Sequence, residues 1–153
     1  MTLWLRLLYA LYRLYIFIVR PVTFGVRVLL VKEGRVLLVR HTYRNGWHMP
    51  GGGIKRGETV EMAARREVCE EAGAEMGKVK LLGVFSSFDQ YPSGHNILFA
   101  CEDFVVTGKS DHEIAEARSF ALAELPKDVP QSQRQKIEEL LRGEVPSNVD
   151  CGE

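Results

Sequence analysis

The feature that most constrains the fold is a glycine-rich stretch at residues 43–58, which reads YRNGWHMPGGGIKRGE. It has five glycines and a proline in sixteen residues, so it can form neither a helix nor a long strand. Residues 59–72 then have the pattern of a helix, with Thr59 as its N-cap and Gly73 as the glycine that ends it. The sequence therefore predicts a loop that leads directly into a helix.

The predicted helix carries three carboxylates close together, on Glu67, Glu70 and Glu71. Residues three and four apart are neighbours on a helix surface, and like charges there destabilise the helix by about 0.2–0.5 kcal/mol per pair. The cluster therefore requires cations. One interpretation is a solvated acidic face that Arg65 and Arg66 partly neutralise. The other is a divalent metal site of hard oxygen ligands, which suits Mg²⁺ or Mn²⁺.

The text from Gly52 to Ala74, GGIKRGETVEMAARREVCEEAGA, resembles the Nudix box, G-x5-E-x7-R-E-U-x-E-E-x-G-U, in which U is an aliphatic or small apolar residue. All nine specified positions are filled, by Gly52, Glu58, Arg66, Glu67, Val68, Glu70, Glu71, Gly73 and Ala74. The preceding HMPGGG is similar to the approach loop of the MutT-like Nudix hydrolases, and the likeness extends over about residues 22–143. It implies an α/β fold, a Nudix-like α/β/α sandwich with a mixed sheet.

The resemblance also implies the chemistry, which is hydrolysis of a diphosphate bond with Mg²⁺, or Mn²⁺, as cofactor. A bound cation neutralises the diphosphate before water attacks it. By resemblance, the metal ligands are Glu67, Glu70 and Glu71, and Gly52 offers a carbonyl ligand. Glu70 or Glu71 is expected to bridge metal ions, and Glu67 to orient water. A further catalytic acid is expected at Glu113, with Asp111 and Glu116 as rivals.

The remaining motif positions are expected to be structural or to contact the substrate. Arg66 is predicted to hold Glu58, and Gly73 to end the helix. The other predicted contacts with the substrate are Gly51 and Gly53, where backbone approaches phosphate, and Trp47 and Tyr91, which could stack on a base. Tyr91 and Pro92 lie where residues after the box help to mark subfamilies. A tyrosine there resembles the dinucleoside-polyphosphate hydrolases, and a proline nearby resembles the ADP-ribose hydrolases. The segment YPSG is equally a plain turn.

The expected function is Mg²⁺-dependent hydrolysis of a nucleoside diphosphate linked to another moiety, such as a nucleotide, an ADP-ribose-like group or a second nucleoside. One alternative is a membrane-apposed hydrolase of a sugar- or lipid-linked diphosphate. Another is a non-catalytic nucleotide-sensing module, against which the intact acids argue. The expected partner is a small-molecule diphosphate, with no nucleic acid.

An extra apolar helix is predicted at residues 3–20, LWLRLLYALYRLYIFIVR, before the domain. Its three arginines fall in one narrow stripe, and Pro21 ends it. Its longest uncharged run is six residues, too short for a transmembrane span. The helix is expected either to pack in its own domain or a homodimer, or to lie on a membrane surface. The predicted division is 1–20 N-terminal helix, 21–143 hydrolase domain and 144–153 polar tail.

The charge is unevenly distributed along the 153 residues. Residues 1–57 hold ten Lys or Arg and one acid, whereas residues 58–153 hold ten Lys or Arg and nineteen acids. A phosphate-bearing ligand between these parts, with metal on the acidic side, suits that asymmetry. The three cysteines are odd in number and show no metal-ligand spacing, which favours a reducing, intracellular setting. The expected location is the cytoplasm, peripheral to the membrane if residues 3–20 lie on its surface.

The other elements follow from hydrophobic patterns. Strands are predicted at 22–32 and 35–42, joined by a hairpin turn, and at 78–88 and 95–107. Residues 113–126 read as a short strand and turn. A closing helix is predicted at 132–143, capped by Ser132 and ended by Gly143.

Overall fold

A computed structural model of the chain describes residues 8, 10–15, 18, 23–87, 94–108 and 110–144. The strands are β1 (Thr23–Lys32), β2 (Arg35–His41), β3 (Ala74–Met76), β4 (Lys80–Ser87), β5 (Gly94–Cys101), β6 (Phe104–Val106) and β7 (Ile114–Ala121). The helices are α1 (Val60–Glu67), which continues as a π-helical turn (Val68–Ala72), a short 3₁₀ helix (Leu122–Glu124) and α2 (Gln131–Leu141).

Five strands form one mixed sheet in the order β4-β5-β1-β2-β7. β1 runs parallel to β5, and the other neighbours are antiparallel. β3 and β6 form a separate two-stranded ribbon. Side chains alternate between the two faces of the large sheet. Val26, Val28 and Leu30 pack in the cluster that includes the apolar face of α1, while Leu29 packs with Ile137 of α2 in a second cluster. The predicted α/β sandwich with a mixed sheet is confirmed.

The β1–β2 hairpin opens away from its turn, and the glycine-rich loop fills the opening. The two strands pair only over residues 30–32 and 35–37. Beyond that point, Val39 exchanges two backbone hydrogen bonds of 2.9 Å with His48 of the loop. On the other side, the N–H groups of Val26 and Val28 donate to the carbonyls of Gly52 and Pro50, at 2.9 and 3.0 Å. The loop is therefore held as part of the sheet.

Both predicted ends of the acidic helix are confirmed. The Thr59 hydroxyl accepts a 3.1 Å hydrogen bond from the Met62 N–H. Gly73 has the left-handed conformation, φ 57° and ψ 38°, that ends a helix. The predicted cap of the closing helix is wrong, because this helix begins at Gln131 after Pro130 and no side chain caps it. Ser132 lies inside its first turn.

The single strand predicted at 95–107 is wrong, because the chain bends at Glu102 and Asp103. β5 ends at Cys101, and β6 (Phe104–Val106) leaves the large sheet to pair with β3. The Asp103 carbonyl accepts a 2.6 Å hydrogen bond from the Gly77 N–H. The bend is therefore stabilised by a residue that is distant in the sequence.

Several sequence predictions lie outside the described residues. These are the ones for Tyr91, Pro92 and the polar tail after residue 144. For the predicted helix at 3–20, residues 8, 10–15 and 18 are described, and they are helical. Within the described part of the chain, no helix is both long and apolar enough to cross a membrane.

Candidate active site

The three clustered carboxylates project from the end of α1 and its π-helical continuation. The opposite side of this helix is anchored in the core by Ala63, Ala64, Val68 and Ala72, all at most 2% exposed. π-Helical turns occur mostly as single turns inside α-helices, frequently at functional sites. Here the turn contains Glu70 and Glu71 and directly follows Glu67. All three residues border one cavity of about 540 Å³ at the end of the large sheet.

Glu71 is held by contacts with the glycine-rich loop and with β2. Its Oε2 accepts a 2.8 Å hydrogen bond from the Gly51 N–H, and its Oε1 lies 3.5 Å from His41 Nε2. Burial raises the pKa of the Glu71 carboxyl to about 7, although the Gly51 N–H and the nearby Arg27 charge oppose that shift. Glu71 is thus fixed against the glycine-rich loop.

Arg66 joins the other acids. Its guanidinium binds Glu58 through two hydrogen bonds of 2.6 and 3.0 Å, which is the expected pairing. The same group donates to Glu67 at 2.6 Å, to Glu70 at 3.1 Å and to the Gly53 carbonyl at 2.9 Å. The bond from Arg66 lowers the pKa of Glu58 to about 2, and the bond to Glu58 raises that of Arg66. The site therefore has an internal cation.

The glycine-rich loop approaches the acids without side chains of its own. A Cβ on Gly52 would lie 2.7–2.8 Å from the carboxylate atoms of Glu67, so the Glu67 carboxylate occupies the space of the missing side chain. Gly51 has φ +146°, and a Cβ there would meet the backbone of Val26 and Arg27. Arg27 holds the loop from β1, since its guanidinium donates to the carbonyls of Met49 and Gly51.

The donor set fits a hard divalent cation in kind. Three carboxylates and the Gly52 carbonyl offer only oxygen atoms, as Mg²⁺ and Mn²⁺ prefer. A carbonyl has two lone pairs, so the bond from Val26 N–H leaves Gly52 one for a cation. As placed, no three His, Cys, Asp or Glu side chains of the described residues converge closely enough to hold a metal ion. Arg66 bridges Glu67 and Glu70 instead, so metal binding requires these side chains to turn.

Two histidines border the loop, and both are neutral at neutral pH. Burial lowers the pKa of His41 and of His48 to about 4, and the Arg44 charge adds to both shifts. His48 Nε2 lies 3.0 Å from the Asn45 carbonyl, and its Nδ1 lies 3.2 Å from Arg44. A carbonyl only accepts and a guanidinium only donates, so the proton is on Nε2. His41 Nδ1 has no hydrogen-bond partner among the described residues.

The cavity combines the acids with four cationic side chains from three parts of the chain. Arg27 lies on β1, Arg44 and Lys55 lie on the loop, and Lys136 lies on α2. Such a mixture of cations and carboxylates suits a polyanionic ligand that brings a metal ion. Ser132 and Gln133 also border the cavity, and the Gln133 Oε1 accepts a 2.7 Å hydrogen bond from the Met49 N–H.

Glu113 also borders the cavity, whereas its rivals Asp111 and Glu116 do not. Two backbone bonds position its segment. Asp111 N–H donates to the Glu70 carbonyl at 2.7 Å, and Thr42 N–H donates to the Glu113 carbonyl at 2.9 Å. Glu116 instead pairs on β7 with Arg40 and Arg118.

The structure corrects the prediction for Trp47. Its ring is 7% exposed, packs edge-on against Phe120 at 4.8 Å between centroids, and does not border the cavity. The predicted contacts Gly51 and Gly53 do border it, and Tyr91 lies outside the described residues.

The sequence prediction missed several residues that border the cavity, namely Arg27, His41, Tyr43, Arg44 and Lys136. A signal existed for two of them. Arg27 interrupts the apolar run of β1, and His41 ends that of β2, so each is a polar residue where the pattern expects an apolar one. Lys136 has no such signal, since it reads as an ordinary lysine on an amphipathic helix.

Comparison with known proteins identifies the family. The model of the NUDIX domain matches residues 19–140. The ADP-ribose pyrophosphatase of Methanocaldococcus jannaschii is 38% identical over 122 residues, which cover 76% of this chain and 69% of that protein. The RNA pyrophosphohydrolase of Hydrogenovibrio crunogenus is 36% identical over 56 residues, only 37% of this chain and 34% of that protein.

A solved structure agrees with this result. The MutT NUDIX hydrolase from Burkholderia pseudomallei superimposes with a TM-score of 0.67 at 26% identity, over 77% of this chain and 97% of that one. The family match covers most of the chain, including the acidic helix and the loop before it. This chain therefore belongs to the Nudix family and is a hydrolase that acts on diphosphate bonds.

Proposed function

We propose that this protein is a Mg²⁺-dependent pyrophosphohydrolase that cleaves a nucleoside diphosphate linked to a sugar, of the ADP-ribose type. The observation that carries the proposal is the position of Glu67, Glu70 and Glu71 on one cavity, with Glu67 against the side-chain-free Gly52 and several cations on the same border. The similarity to an ADP-ribose pyrophosphatase over 76% of the chain supports the substrate class. Nudix hydrolases generally use divalent metal ions.

The positions of the residues suggest a separate role for each group. Glu67, Glu70 and Glu71 would hold Mg²⁺ together with the Gly52 carbonyl. When bound, the ion neutralises charge on the diphosphate and lowers the pKa of a water. Arg27, Arg44 and Lys55 border the cavity where they can contact phosphate oxygens. Glu113 lies on the same cavity and is the candidate general base.

Two other substrate classes remain as alternatives for the same site. A dinucleoside polyphosphate carries the same diphosphate unit with a second nucleoside. A diphosphate bond in RNA is suggested by the RNA pyrophosphohydrolases, but this chain spans only about a third of the length of such a relative, 34% for the one from Hydrogenovibrio crunogenus. A non-catalytic nucleotide sensor would have no need of the complete acid set.

The test is hydrolysis of a panel of diphosphates with and without Mg²⁺. The panel comprises ADP-ribose, a dinucleoside tetraphosphate, UDP-glucose and a lipid-linked diphosphate, and release of phosphate or monophosphate is measured. ADP-ribose should give the highest kcat/KM, and chelation of the metal should abolish turnover. Faster turnover of another member would replace the proposed substrate, and full activity in the chelator would contradict the metal requirement.

The carboxylate assignment is tested by Glu70→Gln and Glu71→Gln. Each substitution keeps the shape and removes the charge, so the fold should survive while kcat falls by roughly a hundredfold or more. Glu75→Gln is the matched control, because Glu75 is an exposed carboxylate on β3 that does not border the cavity. Turnover of both test variants near the wild-type rate at saturating Mg²⁺ would exclude these acids as metal ligands.

We further propose that residues 1–20 mediate association and supply no catalytic group, although Tyr12 borders the cavity. Leu11, Leu14, Tyr15 and Ile18 are 54–69% exposed in the single chain, which is a large apolar surface to leave in water. The association is with a membrane surface or with a second copy of the chain.

A further inference from the structure

Phe24 departs from the pattern of its own strand. Val26, Val28 and Leu30 lie on the same side of β1 and are completely buried under α1. Phe24 continues that side by one more step, yet it is 54% exposed. Its surroundings explain the difference, since Phe24 lies beyond the end of the core and borders the cavity of the acids.

Phe24 packs beside a second ring, that of His95, on the neighbouring strand. β1 and β5 pair in parallel with Phe24 opposite His95, and the two rings lie 5.3 Å apart at an interplanar angle of 35°. His95 is held in turn from β4, because its Nδ1 lies 3.0 Å from the Ser86 hydroxyl, directly across the β4–β5 pair. All three residues border the cavity. Three adjacent strands thus present two rings side by side, with the second ring fixed by a hydrogen bond.

This pair of rings, Phe24 and His95, lies next to the candidate reaction centre. Gly25 follows Phe24 and forms a backbone bridge with Gly53 of the loop. The neighbouring Gly52 is in contact with the Glu67 carboxylate. The rings and the acids therefore border the same cavity on the two sides of one backbone bridge, where a single ligand can contact both.

We propose that Phe24 and His95 form the surface on which the base of the nucleoside diphosphate stacks. The proposal rests on the proposed function and names the part of the substrate that the rings recognise. A flat heterocycle covers an exposed ring face and gains both apolar burial and favourable ring–ring electrostatics. Ser86 also borders the cavity on the side of these rings and supplies a polar atom for the edge of a base. An alkyl chain would gain burial on Phe24 but would leave the polar atoms of Ser86 and His95 unmatched.

The first test compares wild type with Phe24→Ala and Phe24→Trp in steady-state hydrolysis of ADP-ribose. Loss of a stacking ring should raise KM about tenfold or more while kcat stays within about twofold, because the ring contacts the substrate away from the bond that breaks. Phe24→Trp keeps a flat ring and should retain a KM near that of wild type. Leu81→Ala is the matched control, since Leu81 is 58% exposed on β4 and does not border the cavity.

The second test separates the base from the rest of the ligand. AMP and ribose 5-phosphate are compared as inhibitors, since they share the phosphate and the ribose but only AMP has a base. Phe24→Ala and His95→Ala should weaken inhibition by AMP and leave inhibition by ribose 5-phosphate unchanged. Equal weakening of both inhibitors would overturn the proposal, as would an unchanged KM and an unchanged AMP inhibition constant. Melting curves of both variants check that each one folds.

Failure of this proposal can be told apart from failure of the proposed function. A wild-type protein that hydrolyses no diphosphate would contradict the function alone. Calorimetric titration with AMP then tests the stacking proposal on its own. AMP binding by wild type that is lost in Phe24→Ala supports the proposal. No AMP binding by wild type, or the same affinity in both proteins, overturns it. Hydrolysis of ADP-ribose with the same KM in wild type and Phe24→Ala contradicts the rings alone.

Discussion

Arg66 is the residue on which the arrangement of the acids depends. It contacts Glu58, Glu67 and Glu70 as well as the Gly53 carbonyl, so one cation connects the loop to both turns of the acidic helix. The side chains of Arg66, Glu58 and Glu67 are only 12–17% exposed, so solvent screens these pairs poorly. Arg66 is therefore best understood as a structural residue that sets where the carboxylates lie.

At the residue scale, Arg66→Ala is expected to lower stability and activity together. Removal of the guanidinium leaves the largely buried Glu67 carboxylate without its charged partner, at a cost on the order of 2 kcal/mol. For a chain of this length, that cost lowers Tm by roughly 4–8 °C. Thermal unfolding and kcat/KM are measured on the same preparation. Arg35→Ala is the control, because its pair with Glu124 is exposed at 45% and 60% and is worth little. A rise in KM alone, with Tm unchanged, would make Arg66 a substrate contact.

At the scale of elements, the glycine-rich loop acts as an inserted strand between β1 and β2. Gly51→Ala should disrupt this insertion, because residue 51 has φ +146° and a Cβ there would meet the carbonyl of Val26. The strain costs roughly 1–3 kcal/mol or more, and displacement of the loop also removes the Gly51 N–H from Glu71. Gly53→Ala is the control for stability, since a Cβ at Gly53 meets nothing within 4 Å. Equal melting temperatures of the two variants would contradict this account of the loop.

The same scale shows what the sequence predicts and what it does not. Strands β1 and β2 and both ends of the acidic helix follow from local patterns and caps, and each is confirmed. β3 and β6 have three residues each, too few for a period, and their pairing depends on a contact between Gly77 and Asp103. Trp47 was misassigned because its burial comes from Phe120, which lies 73 positions away in the chain. Local chemistry is thus readable from sequence, and distant packing is not.

At the scale of the whole molecule, the uneven charge of the sequence becomes a property of the cavity. Arg27, Arg44 and Lys55 come from the basic first third of the chain, and the clustered acids come from the acidic remainder. The fold brings both groups to the same end of the large sheet. A diphosphate with a metal ion can therefore meet cations and carboxylates in one place, which neither part of the chain offers alone.

The N-terminal segment contributes Tyr12 to the border of the cavity, and its deletion is the last prediction. We expect a chain without residues 1–20 to fold and to hydrolyse soluble nucleotides, because β1 begins at Thr23 and the buried core of the described residues begins at Val26. What should change is association, since the deletion removes exposed apolar side chains such as Leu14 and Ile18. Full-length and shortened proteins are compared by circular dichroism, by vesicle sedimentation with anionic lipid and by light scattering.

The result distinguishes the two forms of association through salt. Binding to a membrane by Arg6, Arg13 and Arg20 should weaken as ionic strength rises, because salt screens their attraction to anionic headgroups. An apolar dimer interface should be almost insensitive to the same change, because its stability comes from surface removed from water. Loss of vesicle binding therefore identifies a membrane contact, and a halved mass identifies a dimer. Unfolding of the shortened chain would contradict both, because it would show that the segment is part of the domain's own core.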